Sequence, residues 1–148
     1  MDSEPACKFC QIVTRALAAA IVFEDSISLA FLDNRPLFPG HTLLIPKDHY
    51  ETLADLPTDL IGPFFTNVQM LSRAVETGMH AEGSFVAVNN RVSQSVPHLH
   101  VHIVPRRKKD GLRGFFWPRQ HYKDEAEMHQ AQAAIQKALG ADSSILTG

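Results

Sequence analysis

Residues 98–104 read His98-Leu99-His100-Val101-His102-Ile103-Val104, three histidines alternating with aliphatic residues. Strict period-two alternation marks a strand with one apolar face, because successive side chains on a pleated backbone point to opposite sides. Leu99, Val101 and Ile103 are therefore expected in a core. All three imidazoles fall on the opposite face, spaced about 7 Å apart along the strand. Groups that titrate near neutrality are costly on an ordinary sheet surface, so the row is read as an active site. An affinity tag is excluded, because the histidines are internal and interleaved with core residues. One ring on a wet sheet face would need no special account, but three in register do. The serious alternative is a metal site, since alternate strand residues can ligate one ion.

The rest of the chain narrows the choice. At 148 residues, 45% hydrophobic and 20% charged, it reads as a single globular domain spanning 1–148 with a sizeable core. A net charge of −2 speaks against a protein that coats nucleic acid. No apolar run is long enough to span a bilayer. Residues 1–5 have neither the basic start nor the apolar stretch of a signal peptide, so the reading is a cytoplasmic protein. The two cysteines, Cys7 and Cys10, form a Cys-x-x-Cys pair. Without export signals, that spacing points to metal or redox chemistry more than to a structural disulfide.

Periodicity supplies a coarse layout. Lys8 to Ala19 reads as a short helix, with Phe9, Ile12, Val13 and Ala16 at helical spacing. Ile21 to Phe23 and Ile27 to Asp33 read as extended, separated by polar turn residues 24–26. Pro39-Gly40 suits a type II turn before a strand over His41 to Pro46. Leu56 to Met79 is the longest amphipathic helix, starting at or kinking near Gly62-Pro63. Ser84 to Asn89 reads as a strand, followed by a polar loop and the histidine strand. Asp124 to Leu139 reads as a final helix closed by Gly140. The implied class is α+β: an antiparallel sheet of about five strands, with a long helix and a C-terminal helix to one side.

With this order in view, the chain resembles the histidine triad (HIT) family, whose motif is His-φ-His-φ-His-φ-φ with φ hydrophobic. Residues 98–104 meet it at every position. The resemblance runs from about Cys7 to Arg106 and thins beyond. It includes Phe23-Glu24-Asp25, Ala30-Phe31-Leu32-Asp33, Pro39-Gly40-His41, Ile45-Pro46-Lys47-Asp48-His49 and Gln94-Ser95-Val96. The pattern is most similar to the Hint-like branch of nucleoside phosphoramidate hydrolases and its bacterial relatives.

The resemblance implies roles residue by residue. His100 would be the nucleophile toward a nucleotide's α-phosphorus, a task suited to a neutral imidazole whose other nitrogen is held by an acceptor. His102 would hydrogen-bond the phosphate and assist the leaving group, while His98 supports the pair. Asn89, Gln94 and Ser95 match positions that hold the phosphate, where uncharged donors stabilise developing negative charge. Asp33 matches the carboxylate that accepts from ribose hydroxyls. Phe9, Ile12, Phe31 and Leu32 match apolar positions around the base. Cys7 and Cys10 depart from the animal-type pattern. They resemble a zinc-binding subset in which Cys7, Cys10, His49 and His98 form a closed, structural Zn²⁺ site. No organic cofactor is implied.

Two readings stand for Arg106 to Arg119, with its basic residues and Phe115, Phe116 and Trp117. A basic loop beside aromatics can bind single-stranded nucleic acid. The blander and preferred reading is a loop that packs on a dimer partner or closes over the site. A two-fold homodimer is implied by the resemblance and suits the eight large apolar side chains between Leu60 and Met79. The functional expectation is a nucleotide hydrolase or nucleotidyl transferase acting on purine nucleoside phosphoramidates or adenylated compounds. The alternatives are a dinucleoside polyphosphate hydrolase or phosphorylase, and a nucleotide-binding sensor module.

Overall fold

The computed structural model describes residues 5–112 and 119–141. They fall in two compact units, Met1–Asp110 and Gly111–Gly148. The first carries helix α1 (Lys8–Val13), strands β1 (Ile21–Glu24), β2 (Ser28–Leu32) and β3 (Thr42–Pro46), and a 3₁₀ turn at Leu53–Asp55. Helix α2 (Thr58–Gly78) and strands β4 (Gly83–Val88) and β5 (Val101–Arg106) complete it. The second unit carries helix α3 (Glu125–Ala141). The strands form one antiparallel sheet in the order β1-β2-β3-β5-β4, as expected for the α+β class.

Alternation along the central strands sorts their side chains onto two faces. Ala30, Leu44, Leu99, Val101 and Ile103 pack under Phe64, Val68, Leu71 and Val75 of α2. Leu29, Phe31, Leu43 and Ile45 point the other way, against Cys7, Phe9, Cys10 and Ile12 of the α1 segment. Both faces of β2 and β3 are therefore covered, which is why these strands read as unbroken apolar runs. The expectation of helices on one side alone is corrected: α1 occupies the opposite face, and that face holds the histidines. Phe9 of α1 packs edge-on against the rings of His98 and His100 on that face.

Several element boundaries differ from the sequence reading. Helix α1 stops at Val13 because Arg15 takes a left-handed backbone conformation (φ 69°), its amide returning to the Ile12 carbonyl. Its guanidinium then ties to Glu24 at 2.6 Å, so the alanine-rich stretch turns back toward β1 instead of extending the helix. Helix α2 begins at Thr58 and runs through Pro63, so the proline neither opens it nor ends it. Helix α3 runs on through Gly140. At the Pro39-Gly40 turn, Gly40 has φ 96° and the His41 amide donates to the Phe38 carbonyl, as a type II turn requires.

The histidine segment itself is only half a strand. The β3–β5 register pairs Leu44 with Val101 and would next place Ile45 and Pro46 opposite His100 and Leu99. Pro46 has no amide to continue the ladder. Leu99 instead donates to the Tyr50 carbonyl at 2.6 Å, and the chain peels away from the sheet. The first two histidines thereby leave the regular pleat, which lets them face different partners.

Buried Asn67 on α2, a polar residue on an otherwise apolar stripe, was not anticipated. Its amide donates to Asp25 (2.7 Å) and Ser28 Oγ (2.8 Å), tying the β1–β2 turn to the helix. Asp25 Oδ1 also accepts from the Ile27 and Ser28 amides.

Candidate active site

His100 is 3% exposed, and its Nδ1–H donates to the His98 carbonyl at 2.7 Å. The ring's remaining nitrogen, Nε2, carries a lone pair. Phe9 packs edge-on at 5.1 Å between centroids and His102 at 5.0 Å. Burial pushes the His100 pKa down, so the ring is held in the neutral, nucleophilic form. The fixed tautomer expected of a nucleophilic histidine is present, and its acceptor is a backbone carbonyl within the motif.

His102 sits in a hydrogen-bond chain that begins at a backbone amide. The Leu37 N–H donates to His41 Nδ1 at 3.1 Å, which places the His41 proton on Nε2. His41 Nε2 lies 3.0 Å from His102 Nδ1 and donates to it, leaving the His102 proton on Nε2. Burial, reinforced by the neighbouring His100 and His41, pushes the His102 pKa down to about 4. His102 is therefore a neutral hydrogen-bond donor at pH 7. His41 is likewise pushed down by burial, against the opposing pull of Asp33, whose Oδ2 is 3.8 Å away. Asp33, His41 and His102 could together be taken for a metal site. The proton on His41 Nε2 argues against it, since a protonated nitrogen has no lone pair for an ion.

His98 faces the other way. Its Nε2–H donates to the Pro46 carbonyl at 2.9 Å, so Nδ1 presents a lone pair to Cys7 Sγ at 3.4 Å and Cys10 Sγ at 3.6 Å. His49 Nδ1 lies 3.4 Å from Cys10 Sγ, and the four donor atoms are all within 4.8 Å of one another. Neither cysteine is in a disulfide. A tetrahedral zinc with ordinary Zn–S and Zn–N bonds sets sulfur–nitrogen edges of about 3.5 Å. The observed separations match. The Pro46 carbonyl supplies the outer hydrogen bond that ligating histidines ordinarily make. This donor set fits Zn²⁺ in a closed site and leaves no fifth group for catalysis.

An open cleft of ≈ 840 Å³ runs along this face. Of the residues singled out from sequence, Phe9, Ile12, Phe31, Leu32, Asp33, Ser95, His100 and His102 line it. Asp33 also serves as a turn residue, its Oδ1 accepting from the Arg35 amide at 2.9 Å. Gln94 is not brought into the cleft: its amide donates to the Glu51 carbonyl (2.6 Å) and accepts from the Arg91 amide (2.7 Å). Asn89 is exposed and does not line the cleft, although it lies one register step beyond the Val88–Val101 pair, at the position opposite His100. Sequence reasoning assigned no role to His41, Lys8, Arg35 or Leu17–Ala20, which all border the site. A histidine opening an otherwise aliphatic strand was the available signal for His41.

The basic segment is partly spoken for. Arg106 makes a two-pronged pair with Asp110 (2.6 and 3.1 Å), and the Arg107 guanidinium donates to the Met79 carbonyl. Arg113, Phe115, Phe116 and Trp117, to which the loop reading assigned base stacking or a cross-subunit role, lie outside the described residues. No helix among the described residues is long and apolar enough to cross a membrane.

Comparison with known proteins agrees with this geometry. The HIT domain family model matches residues 14–109. The chain is 32% identical over 136 residues to adenylylsulfatase HINT3 of Arabidopsis thaliana, covering 90% of this chain and 69% of that protein. The crystal structure of a HIT family member from Bacillus subtilis superposes with a TM-score of 0.81 at 36% identity, covering 93% of this chain and 99% of that one. A zinc-bound histidine triad family protein from Mycobacterium smegmatis gives a TM-score of 0.69 at 36% identity, covering 87% and 97%. A buried, neutral histidine with a free Nε2, a second neutral histidine beside it and a Cys₂His₂ cluster behind them thus sit in a chain that matches the HIT model over most of its length, and the chain belongs to the HIT domain family.

Proposed function

We propose that this protein is a nucleotide hydrolase or nucleotidyl transferase. It acts at the α-phosphorus of purine nucleoside phosphoramidates or adenylated compounds through a covalent nucleotidyl-His100 intermediate. The observation that carries the reading is the Nδ1–H to His98 carbonyl bond, which leaves His100 Nε2 as a lone pair beside an open cleft. His100 attacks phosphorus as the bond to the leaving group breaks. Water then displaces the histidine and releases a nucleoside monophosphate. His102 Nε2–H stabilises the charge that develops on the phosphoryl oxygens, with the Ser95 hydroxyl as a second donor. Phe9, Ile12, Phe31 and Leu32 hold the base, and Asp33 accepts from the ribose.

Cys7, Cys10, His49 and His98 would hold a structural zinc, whose contribution is to pin α1 against the histidine segment. The zinc-bound relative supports that assignment. The working form is a homodimer of single-domain chains, which sedimentation should report at about 33 kDa, twice the 16.4 kDa chain. The deciding experiment is acid-quenched trapping with an α-labelled nucleotide. Label should appear on His100 and be lost in His100→Asn. Absence of label during turnover would refute the covalent route. Phosphate incorporated into product would make the enzyme a phosphorylase.

A further inference from the structure

Beside the Cys₂His₂ cluster lies a cavity of ≈ 480 Å³, walled by Cys7 and His49 with Lys8, Glu51 and Pro97 around them. Neither His100 nor His102 lines it, so the nucleotide chemistry leaves it unexplained. The cavity divides the four cluster residues into two kinds. Cys7 and His49 stand on a wall that small solutes reach. Cys10 is 1% exposed and His98 0%, and neither lines this cavity or the main cleft.

The two thiols are also built to meet. Cys7 caps α1 and Cys10 lies three residues on, so both side chains share one face of the first turn. The Cys10 amide donates to Cys7 Sγ at 3.4 Å, and the sulfurs lie within 4.8 Å of one another. The Lys8 side chain shares the cavity wall, giving Cys7 the cationic, partly open surroundings typical of reactive thiols.

We propose that Cys7 is a site of reversible oxidation by small hydroperoxides entering through this cavity, with Cys10 as the resolving thiol. This inference rests on the zinc assignment above and is independent of the hydrolase reading. The Cys7 thiolate attacks one peroxide oxygen, the O–O bond breaks, and a sulfenic acid and hydroxide form. The Cys10 thiolate then attacks the Cys7 sulfur, the S–O bond breaks, and a second hydroxide leaves as the disulfide closes. Both hydroxides take protons from solvent. The sulfurs lose two electrons in total and the peroxide gains them. A disulfide offers no thiolate to a metal, so zinc is released with it.

The consequence reaches the nucleotide cleft through α1. Phe9 and Ile12 lie on the same short helix as the cysteines and line the cleft at its base end. Phe9 also packs edge-on against His98 and His100. Oxidation therefore loosens the wall that holds the base. The bond from His100 Nδ1–H to the His98 carbonyl lies within the histidine segment and persists. Affinity for nucleotide should fall while kcat is largely kept.

The test treats the full chain, purified reduced and with zinc present, with hydrogen peroxide. Free thiols should fall from two per chain to none, zinc should appear on a chromogenic chelator in step, and Tm should fall by about 5 °C. The affinity for adenosine 5′-monophosphate should fall about tenfold, as suits lost apolar contacts to a base. Dithiothreitol with added zinc should reverse all four changes. Cys10→Ser should hold Cys7 as a sulfenic acid that a 1,3-diketone probe labels, whereas Cys10 in Cys7→Ser should react far more slowly. Melts show which variants fold, and peptide mapping of the oxidised wild type locates the bond if either does not. A pair left reduced by peroxide overturns the proposal, as does sulfinic acid without a disulfide or first labelling at Cys10. Disulfide and zinc release with unchanged nucleotide affinity would overturn the link to the cleft. Reduced protein that binds no nucleotide would refute the nucleotide reading, and protein purified without zinc would refute the zinc assignment. In both cases the thiol count and label position still decide the oxidation site.

Discussion

Replacing His41 with alanine should cost about 10² in kcat/KM although His41 does not touch the phosphate. His41 is 3% exposed and is the only ring bonded to His102 Nδ1 among the described residues, at 3.0 Å. Its own proton is placed by the Leu37 amide. Without it, His102 chooses between two tautomers and two ring flips, and one arrangement in four points a proton at the phosphate, a loss of about 0.8 kcal/mol. The larger loss is a preorganised dipole; deleting a directly acting donor costs about 2.7–4 kcal/mol. His41 acts through a second ring, so the contribution lies below that range and the total is about 3 kcal/mol, or about 10²-fold. Stability should drop by only about 1 kcal/mol, because water can reach the Leu37 amide. Asparagine at this position can accept from Leu37 and donate to His102, and should restore part of the rate. A structural role alone would not move the pH profile. Burial, with the neighbouring His100 and His41, holds the His102 pKa at about 4, so in His41→Ala that pKa rises and the acid limb of kcat/KM moves to higher pH. Activity within threefold of wild type, with an unmoved acid limb, would refute the reasoning.

His100→Asn should abolish turnover while nucleotide binding, measured by calorimetry, survives. His102→Ala should lose about 10²–10³ in rate, and equal losses at the two positions would count against the nucleophile assignment. Protein purified under reducing, metal-replete conditions should contain close to one zinc per chain by elemental analysis, lost in Cys7→Ser. A chelator should lower Tm more than it lowers turnover at moderate temperature, and zinc-free wild type would sink the assignment. Asn67→Leu should destabilise the fold by about 1–3 kcal/mol in urea titrations, since it removes the donor to Asp25 Oδ2 and one partner of the Ser28 hydroxyl beneath the helix, while the bonds to Asp25 Oδ1 remain.

The sequence by itself determined everything that depends on period and on local chemistry. Alternation at Leu99, Val101 and Ile103 put those residues in the core, and 3.6-residue spacing put Phe64, Val68, Leu71 and Val75 on the buried stripe of α2. The Pro39-Gly40 turn was legible because a positive φ there demands glycine. The resemblance carried the pairing of Cys7 and Cys10 with His49 and His98, whose donor atoms converge here.

What only the tertiary structure decided depends on contacts between distant segments. No periodicity tells that β5 starts at Val101, because the cause is a missing amide on another strand, at Pro46. The alanine run after α1 has helical propensity, yet the Arg15–Glu24 pair and the return to β1 prevail. Gln94 looked equivalent to Ser95, but its amide is spent on the Glu51 carbonyl across 43 residues. The proton positions on His41, His98, His100 and His102 follow from the Leu37 amide, the Pro46 and His98 carbonyls and the order of the rings. Local sequence sets which groups are present and which face they take, and the His98 carbonyl and Leu37 amide lie within four residues of the rings they fix; the tautomers of His98 and His102 are set by Pro46 and His41, partners from distant segments that only the fold supplies.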